Sequence, residues 1–295
     1  MSVYSMWGAL EIGLIFSLVA LGVLISFRIL NFPDLTVDGS FPLGGATAAI
    51  LIHHGSDPFL ATGAAVFAAA CAGMVTGWLN VSLKIMDLLA SILVMIALYS
   101  INLRVMDAPN IPLIMEPTVF TMLQPASLED YVARPLILLL IVLVAKWLLD
   151  WFFATQIGLA MRSTGSNPRM ARAQGIHTGR MVLLGMALSN ALCGLAGALF
   201  AQSQGGADIS MGIGTIVIGL AAVIIGESIL PSRRLVIITL AVVLGAVLYR
   251  FFVALALNAD FIGLKAQDLN LITAVLVTVA LVIPLIKQRL QKKRA

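Results

Sequence analysis

The stretch GLAMRSTGSNPRMARAQGI (residues 158–176) is a polar, basic interruption between two apolar runs, at residues 134–155 and 180–202. Each run has the roughly 20 residues that a helix needs to cross the hydrocarbon core of a bilayer. Of the 295 residues in the chain, 60% are hydrophobic and only 11% are charged. Because a soluble domain carries about 25% charged residues, this composition predicts an integral membrane protein.

Apolar runs recur along the whole sequence. Nine can be marked, at residues 7–27, 39–54, 58–80, 87–104, 134–155, 180–202, 211–230, 234–257 and 268–287. We therefore expect an all-α fold: a polytopic membrane helix bundle of about nine transmembrane helices, forming a single domain over residues 1–295. The second run is short and contains Pro42, Gly44 and Gly45, so a broken helix is an alternative to a continuous one there.

Basic residues are distributed unevenly between the loops. If the tail at residues 288–295 is cytoplasmic, 14 of the 18 Lys and Arg residues fall on the cytoplasmic side. Cytoplasmic loops of membrane proteins carry such an excess. We therefore predict an extracytoplasmic N-terminus, a basic cytoplasmic tail and an extracytoplasmic loop at residues 105–133. That loop contains four prolines, so we expect a lid packed on neighbouring helices or a docking surface rather than one helix.

The 158–176 stretch has the signals of a short helix of its own. Ser166 or Asn167 can cap it by accepting a backbone N–H, and Pro168 suits its first turn. Gly175 can adopt the left-handed conformation that ends a helix. A helix of about two turns does not persist alone in water. We therefore expect a short cytoplasmic helix that docks on another protein, within a coupling segment at residues 156–179.

This stretch resembles the cytoplasmic coupling segment of ABC importer permeases of the branched-chain amino acid/ribose class. The residues that fall on the pattern of that family are Gly158, Ala160, Arg162, Gly165, Asn167, Gly175 and Ile176. Ala171 stands one place past the alanine of the pattern, whose position is taken here by Met170. The resemblance implies that the ATPase is contacted through Arg162, Gly165, Asn167, Pro168, Arg169, Ala171, Arg172 and Gly175.

The resemblance also implies the activity and the partners. Two ATPase subunits, which bind ATP and Mg, would grip the coupling segments from the cytoplasm. A second permease subunit, expected to be an identical copy with a paralogue as the alternative, would complete the route. An extracytoplasmic binding protein would deliver a small solute such as an amino acid. The chain itself would lie in the lipid of the bacterial cytoplasmic (inner) membrane and bind no cofactor and no nucleic acid.

The seventh apolar run extends the resemblance but departs from it at one point. Many members of the family have Gly-Gly-x-Gly-Ser near the cytoplasmic end of this helix, whereas this chain has Ile225-Gly226-Glu227-Ser228. The carboxylate weakens an analogy with sugar permeases, and the chain looks closer to members linked with aromatic or other small amino acids. We predict that Glu227 pairs with Arg233 or Arg234.

Six residues are candidates for the solute route: Gly44, Gly45, Gly212, Gly214, Glu227 and Arg250. At the glycines we expect close helix approach or irregular backbone. Arg250 is flanked by Tyr249 and Phe251. It has two interpretations: its side chain extends to the outer interface, or it lines the route and meets a carboxylate of the solute.

A short pattern occurs twice in the chain. Asp38-x-Ser40-x-x-x-Gly44 recurs as Asp208-x-Ser210-x-x-x-Gly214. On the predicted topology the two copies begin on opposite sides of the membrane, as in the inverted repeats that frame many transport routes. Coincidence is the preferred explanation of so short a pattern.

No catalytic or metal-binding residue is predicted. No Lys is followed by Ser or Thr, as a phosphate-binding loop requires, and neither His-Glu-x-x-His nor Gly-x-Ser-x-Gly occurs. Energy would therefore come from a separate subunit. The alternative is an ion-coupled secondary transporter, which needs a carboxylate deep in the membrane. We expect the acidic residues of this chain to lie near the membrane faces, which disfavours that alternative.

Overall fold

The computed structural model describes residues 3–124, 129–232 and 234–257, together with four helical residues further on, Ala274, Val275, Thr278 and Val282. Over these residues the fold is all-α apart from one pair of three-residue strands. Its elements are α1 (Val3–Val23, continued by a π-helical turn at Leu24–Ile29), α2 (Val37–His53), α3 (Pro58–Leu83), α4 (Asp87–Met106), β1 (Asn110–Pro112), α5 (Val119–Leu123), α6 (Asp130–Ala154), α7 (Gln156–Ser166), α8 (Pro168–Ala173), α9 (Thr178–Gln204), β2 (Gly206–Asp208), α10 (Thr215–Ile229) and α11 (Leu235–Leu257).

Six of these helices are long and apolar enough to cross a membrane: α1, α3, α4, α6, α9 and α11. The helices α2 and α10 are shorter, with 17 and 15 residues. Each of the first eight predicted spans therefore coincides with a helix. The ninth span, apart from four residues, and the basic tail lie outside the described residues, so the number nine stays a prediction.

Helix α2 is continuous across Pro42. Proline has no N–H to donate to the carbonyl four residues earlier, which here belongs to Asp38. That carbonyl lies against Gly212, where a β-carbon would overlap it. The second apolar run is thus a single short helix, and the polar backbone that its proline leaves open is covered by the segment before α10.

The core of the bundle forms around α9, which packs on α1, α2 and α3. Small residues make this packing close: a β-carbon at Gly44 would overlap the backbone of Gly194, and one at Gly197 would overlap the carbonyl of Phe41. Phe41 in turn stacks on Phe16 with ring centres 5.8 Å apart. Packing through small residues is how helices associate in lipid, where no hydrophobic force drives them together.

The two ends of the bundle are distinct. At one, which we name the coupling end, Gly165 lies directly on the backbone of Ile29. At the other, which we name the loop end, β1 pairs antiparallel with β2, with Ile111 opposite Ala207. The backbone N–H of Val119 also donates to Gln202 Oε1 of α9 at 2.9 Å. The described part of the 105–133 loop is therefore folded onto the helix ends, as expected of a lid.

Candidate coupling surface and solute route

The coupling segment has the predicted capping. Asn167 caps α8, with its Oδ1 accepting the N–H of Met170 at 3.1 Å, and Pro168 occupies the first turn. Gly175 has a φ of +81°, in the left-handed region. The N–H of Ile176 then returns to the carbonyl of Ala171 at 3.0 Å. These local bonds end α8 after six residues and turn the chain back into the membrane helix α9.

The coupling segment is anchored on the membrane helices through its small residues. At Gly165 a β-carbon would overlap the carbonyl of Ile29, so this turn lies in direct backbone contact with the end of α1. Met161 and Ala171 are buried. A displacement of the segment must therefore move the end of α1 with it, because close-packed groups transmit displacement rather than absorb it.

The outward face of α8 carries the side chains available to a partner. Arg169 and Arg172 are exposed. Met170 is 58% exposed, although it occupies the place of an alanine in the family pattern. Sequence reasoning passed over Met170 as a contact. The order of the residues could have indicated its exposure. If Ala171 packs inward, the adjacent Met170 lies on a different face of the helix.

A cleft of about 640 Å³ opens beside this face. It lies between the coupling segment and the turn that joins α3 to α4. Lys84 and Asp87 of that turn line it opposite Arg172. Lys84 ends α3 in the left-handed conformation, with a φ of +56°. The coupling end thus presents a polar groove as well as an exposed helix.

The two short helices meet head to head at Asp38. Asp38 lies in the first turn of α2, and its Oδ1 accepts the N–H of Ile216 at 2.8 Å while Oδ2 accepts that of Gly214 at 3.3 Å. Both N–H groups belong to the start of α10, where helix donors have no internal partner. A carboxylate at this point also interacts favourably with the positive N-terminal end of each helix dipole.

This junction lies deep in the bundle. The residue after Asp38, Gly39, packs on Met95 and Leu98, about halfway along α4. Its carbonyl accepts a hydrogen bond from Asn102 Nδ2 at 3.1 Å. From the junction α2 runs towards the loop end and α10 towards the coupling end. The two copies of the Asp-x-Ser pattern thus meet, through Asp38 of the first and Gly214 of the second.

A second carboxylate lies nearby. Asp34 is fully buried; it accepts the N–H of Thr36 at 2.9 Å and Nδ2 of Asn190 at 2.8 Å. The expectation that the acidic residues lie near the membrane faces is therefore wrong for Asp34 and Asp38. The chain between α1 and α2 turns back inside the bundle, which carries both residues inward. Each carboxylate accepts hydrogen bonds from neutral donors, as burial requires.

The candidate route residues occupy two kinds of place. Gly44 and Gly212 lie in close packing, where a β-carbon would overlap backbone atoms, and at Gly45 it would overlap the end of the Met211 side chain. Gly214 precedes α10 with a φ of +79°. The expected close approaches and irregular backbone are thus confirmed, whereas a role of these glycines in lining a solute route stays a prediction.

Glu227 is held by a partner that the sequence did not indicate. Its Oε1 accepts Nε of Arg28 at 2.7 Å. The predicted pairing with Arg234 is wrong: among the described residues, Arg28 is the only basic partner of Glu227, and Arg233 lies outside them. The physical reason is that α10 ends beside the π-helical turn of α1, which contains Arg28.

Arg250 faces inward. Its Cζ lies 4.7 Å from the centre of the Phe16 ring, and its Nε is buried without a hydrogen-bond partner among the described residues. Gly13 lets α1 approach α11 at this level, because a β-carbon there would lie only 3.0 Å from Cα of Val247, one turn before Arg250. Phe16 is part of an aromatic cluster with Phe41 and Phe200.

A cavity of about 580 Å³ opens at the loop end, between the lid and α9. Arg134 and Glu116 line it with opposite charges. Arg134 makes one long hydrogen bond, of 3.4 Å, to the carbonyl of Ser203. The hydroxyl of Ser203 donates to Glu11 at 2.6 Å. The cavity therefore combines both charges with polar groups at a helix end.

Comparison with known proteins agrees with this architecture. Residues 6–284 match the family described as branched-chain amino acid transport system / permease component. A tyrosine transport system permease protein of Clostridioides difficile is 38% identical over 264 residues, which cover 90% of this chain and 86% of that protein. A ribose import permease protein of Escherichia coli is 23% identical, over 86% of this chain and 78% of its own length.

A galactofuranose transporter permease protein of Escherichia coli is 27% identical over 68% of this chain and 58% of its own length. No solved structure matches the chain. The family match covers nearly the whole sequence and includes the coupling segment, the junction of α2 with α10, and Arg250. The chain therefore belongs to the family of branched-chain amino acid transport system permease components, and it is a multi-pass ABC transporter permease of the bacterial inner membrane rather than an enzyme.

Proposed function

We propose that the chain forms the translocation route of an ABC importer for an amino acid or a similar small solute. The observation that carries the proposal is the coupling segment, whose helix α8 exposes Arg169 and Met170 while Gly165 ties it to the end of α1. The similarity to a tyrosine permease supports the solute class. In this proposal the coupling end is cytoplasmic, the N-terminus is extracytoplasmic and the C-terminus is cytoplasmic.

The contacts suggest how ATP hydrolysis moves the membrane helices. Two ATPase subunits, which hold ATP and Mg, bind the coupling segments of two permease copies. Their closure displaces each segment, and Gly165 passes the displacement to Ile29 of α1. The Arg28–Glu227 ion pair links the same turn of α1 to α10. Rigid elements that shift between two packings are the usual basis of such switching.

At the other end of the route, a binding protein delivers the solute to the loop end. The β1–β2 pair and the rest of the lid form that surface. The cavity lined by Arg134 and Glu116 lies beneath it. A solute released from the binding protein meets this cavity first.

An ion-coupled secondary transporter is the second candidate, and one observation favours it. Asp34 and Asp38 lie deep in the bundle, where coupling ions bind in such transporters. Both carboxylates, however, accept hydrogen bonds from backbone N–H groups at the starts of α2 and α10, and Asp34 accepts a further one from the Asn190 amide of α9. We therefore assign them to capping, and the family match favours the ABC importer.

The decisive experiment is purification of the full chain from its native host in a mild detergent, followed by reconstitution of the resulting complex into liposomes. We expect an ATPase and an extracytoplasmic binding protein to accompany it, and uptake of the solute of that binding protein to require ATP. A chain that purifies alone and drives uptake from an ion gradient without ATP would contradict the proposal and establish the second candidate.

A further inference from the structure

Arg250 carries a charge for which the described part of the chain offers no counter-ion. No described carboxylate lies within 4 Å of its guanidinium. Its Nε is buried and makes no hydrogen bond with a described residue. The position is well inside the bundle, because α11 continues for two further turns to Leu257 and Gly13, which packs against it, is the eleventh residue of α1.

Described carboxylates that α1, α2 and α6 direct into the bundle are already engaged with other groups. Glu11, a little more than one turn from Phe16 on α1, accepts the hydroxyl of Ser203 at 2.6 Å. Asp38 caps the start of α10. Asp150 accepts Nζ of Lys146 at 2.6 Å. Among the described residues, Arg250 is therefore left with the face of the Phe16 ring, a contact that offsets part of the charge but accepts no hydrogen bond from Nε.

An ionised group inside a membrane protein is costly and is usually retained for a functional partner. The five N–H groups of a guanidinium form a planar fork that fits a carboxylate. A carboxylate bound there would supply both the missing charge and the missing acceptors. An apolar or aromatic part of the same molecule would meet the aromatic cluster of Phe16, Phe41 and Phe200.

The loop-end cavity and the aromatic cluster that holds Arg250 are connected through α9. Ser203, which lines it, is one helical turn from Phe200 on α9, and its partner Glu11 precedes Phe16 on α1. With about 580 Å³ the cavity is larger than one amino acid. Ser203 therefore places the cavity about one turn of α9 from the aromatic cluster on which the Arg250 guanidinium rests.

We infer that Arg250 is a binding residue for the carboxylate of the transported solute, and that Phe16 holds the guanidinium in position for it. The solute class is a carboxylic acid with an apolar or aromatic body, as in the amino acids of that kind. This inference rests on the proposed function, since it assigns a substrate contact within the same route.

The test compares carboxylates with their amides. The full permease, in complex with its ATPase and without binding protein, is placed in nanodiscs. Binding of each of the 20 common amino acids and of its carboxamide is then measured. We expect at least one apolar or aromatic amino acid to bind at least tenfold more tightly than its amide. In Arg250→Gln this preference should disappear, while Arg104→Gln, which changes an exposed arginine of α4, should keep it.

Two results overturn the inference. One is a wild-type complex that binds no amino acid, or that binds every amide as tightly as the corresponding acid. This result comes from the wild-type protein alone and so does not depend on whether a variant folds. The other is Arg250→Gln with unchanged preference; if that variant lost a co-purified anionic lipid instead, Arg250 would be a lipid contact. ATP-driven uptake by the same complex tests the proposed function separately, so either can fail without the other.

Discussion

The Oδ1 atom of Asp38 lies 2.8 Å from the backbone nitrogen of Ile216, although the two residues are 178 positions apart in sequence. This hydrogen bond joins the N-terminal end of α2 to that of α10 in the middle of the bundle. Two helices that point their positive ends at each other would repel without a negative group between them. Asp38 thus stabilises an arrangement in which two short helices begin at the same point inside the bundle and run to opposite ends of it.

Replacement of Asp38 by Ala should destabilise the bundle, because the N–H groups of Gly214 and Ile216 would lose their acceptor. A buried donor without a partner costs about 1–3 kcal/mol. Asp38→Asn keeps an acceptor but not the charge, so its loss should be smaller. The stability losses of both variants can be measured as decreases in the apparent melting temperature in detergent.

The matched control for that series is Asp57→Ala. Asp57 also caps a helix, accepting the N–H of Leu60 at 3.2 Å, but it lies in an exposed position. Water can replace it there, so the loss should be about 1 kcal/mol or less. Equal melting temperatures for Asp38→Ala and Asp57→Ala would show that the junction contributes no more than an ordinary cap.

The Arg28–Glu227 ion pair should matter for coupling more than for stability. The Arg28 side chain is 64% exposed, and exposed pairs contribute about 1 kcal/mol at most. Glu227→Gln should therefore leave the melting temperature nearly unchanged and lower the number of solute molecules moved per ATP hydrolysed. The exchange Arg28→Glu/Glu227→Arg should restore that ratio. If the exchange performs no better than Glu227→Gln, the pair does not transmit movement.

Reversal of charge on α8 should weaken ATPase binding. We expect Arg169→Glu/Arg172→Glu to insert into the membrane normally but to co-purify with much less ATPase, since both side chains are exposed on the docking face. Pro168→Ala should be mild, because the first turn of a helix accepts many residues. The control Arg180→Glu/Arg234→Glu makes the same charge change on exposed residues outside α8. A full complement of ATPase on the first double variant would refute the docking role.

Two glycines should respond in opposite directions to the same substitution. A β-carbon at Gly44 would overlap the backbone of Gly194, whereas one at Gly63 on α3 meets nothing within 4 Å. Gly44→Ala should therefore lower the melting temperature, since overpacking costs about 1–3 kcal/mol. Gly63→Ala should leave it unchanged or raise it, by up to about 1 kcal/mol of helix propensity. A stable Gly44→Ala would mean that α2 and α9 separate readily.

Much of the local structure could be predicted from the sequence. The caps of α8, its proline and the left-handed Gly175 are recognisable because each depends on residues within one or two turns. The membrane spans follow from apolar runs in the same way. The partner of Glu227 could not be predicted, because Arg28 is 199 positions away and the basic residues next in sequence were the obvious alternative.

The sequence by itself determined that this chain crosses a membrane repeatedly as helices and that a short capped helix interrupts the apolar runs within residues 156–179, because hydropathy and capping are local properties. Tertiary structure alone decided that Asp34 and Asp38 lie deep, that Glu227 meets Arg28, and that Arg250 rests on Phe16. In a chain that is apolar on nearly every side, hydropathy does not distinguish the helix face that meets lipid from the face that meets another helix. That choice depends on how small residues such as Gly44 and Gly194 allow the helices to approach.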